Sequence, residues 1–518
     1  MIGGATTLFS WTLRMDSKSV VPHIVRAVFA FVILFAISIS FFDAFGTSRT
    51  GLRFFENMCR LNVVIITVAG VSYFVTAVTE EKDAGSFMLL RLAGMKKLSI
   101  TLGKSSSRLV SSLMLLVVQL PFTFLAVTLG GVLWQQILAS YIALTGWTIL
   151  VANVALFCSV RCATSGRAAG MAASLLVLYF TIPRVVPITL TAIPAGLLPP
   201  SVTSFVASIP TALAGVDITW RLSEILVNTD NLILVGRQFW LSILIGAAFF
   251  AVSTLTLDMG STATAIGGPI ENPRLRKWSI SRAWRPAIMW KEFQFFTGGQ
   301  VFVLAKLIGG GVLLAGFLVL QDANGYGDAP WLSGDYATSA MGTFAAMLAA
   351  EILIYASGCL FGELRQGTHS VLATLPISSS RMLLEKLGGC VLTLWPSVFW
   401  IAVVTFLGYG TLRDRIEDGH VLSYVVMVGF GSHLAVLFSL YTRWAALPLT
   451  VLCSMPAFFC LAVPILALTE STSRIAATQG IHNNLLLLSV VNLFWTWLFV
   501  LLPLQIAIRD RWLAVSRQ

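Results

Sequence analysis

Charged residues are scarce in this sequence, and their scarcity excludes most soluble proteins. Asp, Glu, Lys and Arg together make up 11% of the 518 residues, whereas hydrophobic residues make up 57%. A water-soluble fold needs a polar exterior, and about a quarter of the residues of an ordinary soluble domain are charged. The composition therefore predicts that lipid covers much of the surface of this protein.

Catalytic and metal-binding motifs are also missing. The sequence contains no HExxH, GxSxG or CxxC pattern, and its five histidines are far apart. Gly103-Lys104-Ser105 resembles the end of a phosphate-binding loop, but the first glycine of that motif would stand where Leu98 stands. We therefore predict a chain that is not an enzyme and that binds no metal or cofactor of its own.

The net charge of +11 is spread between apolar runs and is not pooled in one patch or tail. Nucleic-acid binders cluster their basic residues, whereas membrane proteins place Lys and Arg in the cytoplasmic loops. The charge pattern therefore predicts the lipid bilayer as a partner and predicts no nucleic acid.

Twelve apolar runs are each long enough to cross a bilayer, which takes about 20 residues of helix. Their length and all-round apolarity predict α-helices, because barrel strands are shorter and alternate in polarity. The first run is too long for a cleavable signal and predicts a retained span. The fold class predicted is an all-α polytopic membrane protein, with spans at residues 23–45, 61–79, 108–132, 136–160, 168–190, 238–257, 300–320, 340–361, 387–409, 421–441, 444–468 and 484–507.

The basic residues also predict an orientation. With both termini placed in the cytoplasm, the inside segments carry 24 Lys and Arg residues and the outside segments carry 9, while Lys306 lies within a span. This excess favours cytoplasmic termini and an even number of spans. It also predicts a location in the inner (plasma) membrane.

The polar, basic segment 258–284 is the one stretch typical of a linker. It divides the chain into predicted halves of six spans each, 1–257 and 285–518. The outside segment 184–237 carries five prolines, which exclude one straight span. Short helices that dip into the outer leaflet and a plain surface loop are both compatible with it.

A charged pattern after the second span recurs after the eighth. Four residues of the first copy recur 282 positions later, without a gap. A tryptophan with neighbouring charges, Trp11 or Trp290, precedes the first span of each half and suits a short amphipathic helix at the interface. An ordinary residue of the aromatic belt explains either tryptophan alone equally well. The matched residues are Glu81, Gly85, Leu90 and Lys104 in the first half and Glu363, Gly367, Leu372 and Lys386 in the second.

Few ionisable residues lie inside the predicted spans. Glu351 in the eighth span and Lys306 in the seventh are candidates for an intramembrane polar site, because buried charge is costly in lipid. They are predicted to pair if their helices are adjacent. A purely structural ion pair, or a Lys306 that reaches to the membrane surface, is the alternative. His433 in the tenth span is interpreted as a packing residue.

The repeated pattern resembles the permease subunits of type-2 ATP-binding-cassette exporters. In that family a Glu-x-x-x-Gly-[Ser/Thr] segment in the second cytoplasmic loop forms a coupling helix that docks on a separate ATPase subunit. The resemblance implies coupling loops at the eight matched residues, and it extends to Pro376, where the first half has Gly94. It also implies two permease halves in one chain, driven by ATP that two cytoplasmic ATPase subunits hydrolyse.

Two other classes stay open at this point. An ion-coupled secondary transporter shares the span count and the repeat, although it usually carries more buried carboxylates. A membrane enzyme or a non-transporting scaffold subunit is the second alternative. No motif selects a substrate.

Overall fold

The described regions of the protein are helical. The structure is a computed structural model, and every regular element that it describes is an α-helix or a short π-helical turn. The described residues are 3–18, 20–43, 50–83, 86–162, 165–191, 215–227, 232–265, 284–296, 299–321, 332, 334–360, 379–408, 420–442, 446–454, 456 and 497–516. The predicted all-α class is confirmed for these residues.

The chain divides into two compact units, Met1–Ile270 and Glu271–Gln518. The first unit has a π-helical turn at Gly70–Phe74. Its α-helices are α1 (Gly3–Lys18), α2 (Val20–Asp43), α3 (Thr50–Ala69), α4 (Thr76–Asp83), α5 (Ser86–Leu92), α6 (Lys97–Val118), α7 (Leu120–Thr128), α8 (Trp134–Arg161), α9 (Ser165–Thr191), α10 (Ile218–Val227) and α11 (Arg237–Ala265).

The second unit has π-helical turns at Glu292–Phe296 and Trp497–Leu501, and residues 446–454 are also helical. Its labelled α-helices are α12 (Ala287–Lys291), α13 (Gly299–Gln321), α14 (Gly334–Cys359), α15 (Ser379–Leu392), α16 (Trp395–Leu407), α17 (His420–Ser439) and α18 (Leu502–Ser516).

Six helical stretches among the described residues are long and apolar enough to cross a membrane. A seventh results if the two helices Leu384–Leu392 and Trp395–Leu407, bent by 50° at their break, form one span. Shorter apolar helices lie within three more predicted spans. The six are Gly51–Lys82, Lys97–Thr128, Trp134–Arg161, Arg237–Leu257, Phe302–Val319 and Tyr336–Cys359.

Parts of the last two predicted spans, residues 457–468 and 484–496, lie outside the described residues. The count of twelve, the six-helix repeat and the cytoplasmic termini therefore stay predictions. The last helix of the first unit, α11, continues to Ala265, past the predicted span end at residue 257. No proline follows until Pro269, so nothing in the sequence stops the helix sooner.

The central helix of the first unit is α8, which packs against α3, α6, α9, α10 and α11. Its Trp147 is fully buried, with its ring 4.6 Å from that of Tyr179. Gly146 lets α11 come close, since a β-carbon there would lie 2.9 Å from Cδ2 of Phe239. This helix is the rigid element against which the charged segment of the first unit is positioned.

Part of the proline-rich segment 184–237, which is predicted to lie outside the membrane, belongs to the described residues. Within 184–237, α10 is a separate short helix, while residues 192–214 and 228–231 lie outside the described part. The amide of Gln136 donates to the carbonyl of Ile225 at 3.0 Å, and the hydroxyl of Tyr179 donates to the carbonyl of Val216 at 2.7 Å. These bonds tie both ends of α10 to the membrane helices.

Candidate functional site

Two of the four predicted coupling residues of the first unit form an ion pair. Glu81 lies near the end of α4, Lys104 lies on the second turn of α6, and the ammonium Nζ is 2.6 Å from Oε1 of the carboxylate. The side chain of Lys104 is 12% exposed, and that of Glu81 is 19% exposed. The structure therefore joins two residues that are 23 positions apart and partly shields their charges from water.

The predicted amphipathic helix α1 packs along α6 and covers this ion pair. The ammonium of Lys104 lies 5.7 Å from the ring centroid of Trp11, a distance typical of a cation–π contact. A cavity of about 260 Å³ opens here, lined by Leu8, Trp11, Glu81, Leu89, Leu90 and Lys104. The Trp11 that the sequence singled out thus belongs to the same site as the repeated residues.

Helix α5 presents an apolar surface beside the cavity. Leu89 and Leu92 are 66% and 83% exposed, whereas Leu90 packs against the buried core of the unit. Lys96 and Lys97, just beyond α5, are exposed as well. Gly85 of the predicted motif lies outside the described residues. Exposed leucines next to lysines form a surface suited to a protein partner or to lipid headgroups.

The segment that carries Glu81 is bound tightly to α8. Lys82 donates to the carbonyls of Ser159, Val160 and Cys162, at 3.0, 2.6 and 2.9 Å, and so caps the C-terminus of α8. The Ser159 hydroxyl accepts hydrogen bonds from the backbone N–H groups of Val78 and Thr79 in α4. These hydrogen bonds attach α4 directly to the central helix.

Arg108 forms the third connection. Its guanidinium donates to the Glu80 carboxylate at 2.7 Å and to the Tyr73 carbonyl, which lies in the π-helical turn. Sequence reasoning missed Glu80, Lys82 and Arg108 as parts of this site. The signal was present, because residues 80–82 are consecutive charges at the end of an apolar run, and such charges need partners.

In the second unit the described part of the repeated motif is Lys386. The predicted residues Glu363, Gly367, Leu372 and Pro376 lie outside the described residues. The Lys386 ammonium is 2.5 Å from Oε1 of Glu292 and 3.3 Å from the carbonyl of Cys359. The side chains of Lys386 and Glu292 are only 1% and 5% exposed.

Glu292 is the last residue of the predicted amphipathic segment around Trp290, and it begins the π-helical turn that follows α12. Helix α12 packs on α15 as α1 packs on α6. A β-carbon at Gly389 of α15 would lie 2.7 Å from both Cβ of Glu292 and the Met289 carbonyl oxygen, so the glycine permits this close approach. The sequence predicted the helix but not that it supplies the partner of Lys386, because Glu292 has no counterpart in the repeated motif.

The two charges predicted to lie inside spans also meet. Lys306 of α13 pairs with Glu351 of α14, and both side chains are 14% exposed. The Lys306 ammonium donates to the Thr393 carbonyl at 2.7 Å, and Tyr355 and Ser397 donate to the Glu351 carboxylate at 2.9 and 2.7 Å. The structure brings Lys306 and Glu351 together in one ion pair, as predicted for adjacent helices, while their role as a functional or a purely structural pair stays a prediction.

Other candidate chemistry is not found in the described part of the chain. There, no three His, Cys, Asp or Glu side chains lie close enough together to hold a metal ion. His433 is 2.7 Å from the Gly429 carbonyl and 3.2 Å from the Gln505 amide, in line with its interpretation as a packing residue.

Comparison of the chain with protein-family models, with curated proteins and with solved structures found no match.

Proposed function

We propose that this chain is the transmembrane permease component of an ATP-binding-cassette exporter. In this proposal twelve helices form two six-helix halves in the inner (plasma) membrane, with both termini in the cytoplasm. Two separate ATPase subunits hydrolyse ATP and drive the movement of a substrate across the membrane. The chain itself binds no ATP.

One observation carries the proposal. In each unit an amphipathic helix with a tryptophan packs on the helix that follows the charged segment, and a lysine of that second helix pairs with a glutamate. The two lysines, Lys104 and Lys386, are 282 positions apart, the spacing of the sequence repeat. Paired sites of this kind suit a motor with two equivalent ATPase subunits.

The contacts also supply a physical route for coupling. The exposed leucines of α5 offer a docking surface, and α5 leads back to α4. From α4, the Lys82 cap and the Ser159 hydroxyl connect to α8. A push on α5 would reach the core of the unit through hydrogen bonds and packed helices, without an intervening flexible loop in the α4–α8 contact.

The experiment is reconstitution. The full chain is purified from its native membrane, its stoichiometric partners are identified by mass spectrometry, and ATP hydrolysis is measured in liposomes. We expect a cassette ATPase subunit whose activity rises with the chain present. Leu89→Asp is expected to weaken its binding, and Glu81→Gln is expected to reduce stimulated hydrolysis while binding persists.

Glu56→Gln is the matched control, because Glu56 pairs with Arg60 on an exposed helix surface of the same unit. It is expected to behave as the wild type. The proposal fails if no ATPase subunit is recovered, or if Leu89→Asp and Glu81→Gln bind and hydrolyse as the control does.

A second candidate function has one specific observation in its favour. The Lys306–Glu351 pair lies inside apolar helices, where ion-coupled secondary transporters carry their charges. Transport by the purified chain in ATP-free liposomes under an ion gradient would support this alternative and count against the permease.

A further inference from the structure

The ammonium of Lys306 lies in a cage of groups that all attract cations. It donates to the carboxylate of Glu351, to the Thr393 carbonyl at 2.7 Å and to the Tyr355 hydroxyl at 3.4 Å. The ring centroids of Phe302 and Tyr355 lie 4.8 and 5.6 Å from the nitrogen. One carboxylate with aromatic faces and neutral oxygens is the combination that proteins use to bind ammonium groups.

The cage is built at a broken helix. Thr393 lies between α15 and α16, which are bent by 50°, and Pro396 lies just beyond the break. In membrane proteins a break of this kind brings backbone carbonyls to the lining of a cavity, where they coordinate cations. The Thr393 carbonyl does so here for a lysine of another helix.

The carboxylate is held in place from its other side. Ser397 donates to Oε2 of Glu351 at 2.7 Å, while Tyr355 donates to Oε1 at 2.9 Å. Helix α13 reaches the cage through a close approach at Gly310, where a β-carbon would lie 2.2 Å from Cδ1 of Trp400. The acceptors are thus positioned by contacts that do not depend on the Lys306 side chain.

The first unit has no such cage at the matching positions. Moving back by 282 residues, Lys306 corresponds to Ile24 and Glu351 to Ala69, although Tyr355 corresponds to Tyr73. A charge pair needed only to hold the shared helical scaffold together would be expected in both units. Its presence in one unit indicates a task that the other unit does not share.

We propose that Glu351, Tyr355, Ser397 and the Thr393 carbonyl form a binding site for an ammonium group inside the membrane, in which Lys306 is a tethered occupant. A substrate with a primary ammonium group takes the place of Lys306 at Glu351. The inference rests on the proposed transport function for its role, because it names the substrate class as organic cations. The binding itself requires no ATPase subunit and is measured without one.

The experiment uses the detergent-purified full chain and propylammonium chloride, whose length matches the part of lysine that Lys306→Ala removes. Binding is measured by isothermal titration calorimetry, with 1-propanol as the neutral probe of the same size. We expect Lys306→Ala to bind propylammonium at least about tenfold more tightly than the wild type, because its competitor is gone. Lys306→Ala/Glu351→Gln is expected to lose this gain, and 1-propanol is expected to show none.

Lys386→Ala is the matched control, since it removes another buried lysine with a glutamate partner in the same unit. Its ammonium is held by the Glu292 carboxylate and the Cys359 carbonyl, away from the broken helix at Thr393, and the variant is expected to gain no propylammonium binding. An equal gain in Lys386→Ala, an equal affinity in wild type and Lys306→Ala, or a gain that survives Glu351→Gln would each overturn the proposal.

Lys306→Gln replaces Lys306→Ala as the test variant if Lys306→Ala does not fold. Glutamine keeps a polar donor while it removes the positive charge and shortens the side chain by one atom, and methylammonium replaces propylammonium as the smaller probe. The same Glu351-dependent gain over wild type is expected. Because no ATPase takes part, failed binding rejects the cation site, whereas a missing ATPase partner rejects the permease.

Discussion

Replacing Lys386 with methionine is expected to destabilise the second unit strongly. Lys386 and its partner Glu292 are 1% and 5% exposed, and their charged atoms are 2.5 Å apart. Methionine resembles lysine in shape, so packing is largely kept while the Glu292 carboxylate loses its cation. Removing one partner of a buried pair costs about 3–5 kcal/mol, because the remaining charge stays buried and uncompensated.

Replacing the basic partner with methionine in two more exposed ion pairs is expected to cause smaller losses of stability. Lys104 and Glu81 are 12% and 19% exposed, so some water still reaches the carboxylate, and Lys104→Met is expected to cost about 1–2 kcal/mol. Arg60 is 73% exposed, so Arg60→Met is expected to cost less than about 1 kcal/mol. The degree of burial of each ion pair alone therefore predicts the order in which the three substitutions reduce the free energy of unfolding.

Thermal unfolding of the purified chain, followed by tryptophan fluorescence, measures the series. About 2–4 °C of Tm per kcal/mol applies to a domain of this size, so Lys386→Met should lower Tm by about 6–20 °C. Adding Glu292→Leu to Lys386→Met should recover part of this loss, since no lone charge then remains. Equal shifts for Lys386→Met and Arg60→Met, or no recovery in the double variant, would refute the argument from buried charge.

Three further predictions concern the first unit and use the same unfolding assay. Asn62 and Gln119 exchange two amide hydrogen bonds, at 2.7 and 2.9 Å, in the buried interior, so Asn62→Leu should cost about 1–3 kcal/mol and adding Gln119→Leu should restore stability. Gly70→Ala should be destabilising by about 1–3 kcal/mol, because its β-carbon would lie 2.3 Å from Cγ1 of Val151, and adding Val151→Ala should relieve the clash. Ser159→Ala removes the acceptor for two backbone N–H groups and should cost about 1–3 kcal/mol, whereas a serine-to-alanine change on an exposed helix face should be neutral. A neutral Asn62→Leu, a Gly70→Ala that Val151→Ala does not improve, or a neutral Ser159→Ala would each contradict the corresponding contact.

The helical class could be predicted from the sequence because it depends on local composition. A long apolar run in lipid must satisfy every backbone N–H and C=O within itself, and the α-helix does so without a partner. Lys306 and Glu351 stood out for the same reason, since a charge in an apolar run is visible without knowledge of the fold. That each is the partner of the other required the packing of α13 against α14.

Other parts of the site could not be predicted, because they depend on contacts between distant segments. Glu292 has no counterpart in the repeated motif, and only the packing of α12 on α15 brings it to Lys386. The π-helical turn at Gly70–Phe74 cannot be recognised from hydropathy, although its Tyr73 carbonyl accepts a hydrogen bond from Arg108. In the sequence, Lys82 is one of the 24 basic residues of the predicted cytoplasmic segments. In the structure, it caps the C-terminus of α8.

By itself, the sequence determined that the chain is a helical protein suited to a membrane, and it marked two polar segments and two buried charges as unusual. Those features follow from the cost of placing polar groups in lipid, a cost that each residue incurs independently of its neighbours. The tertiary structure decided which charges pair, which helix covers each lysine, and that a carboxylate, a hydroxyl and a carbonyl meet around Lys306. Pairing is decided at that level because charges and hydrogen bonds act over a few ångströms, and only folding brings segments so distant in sequence that close.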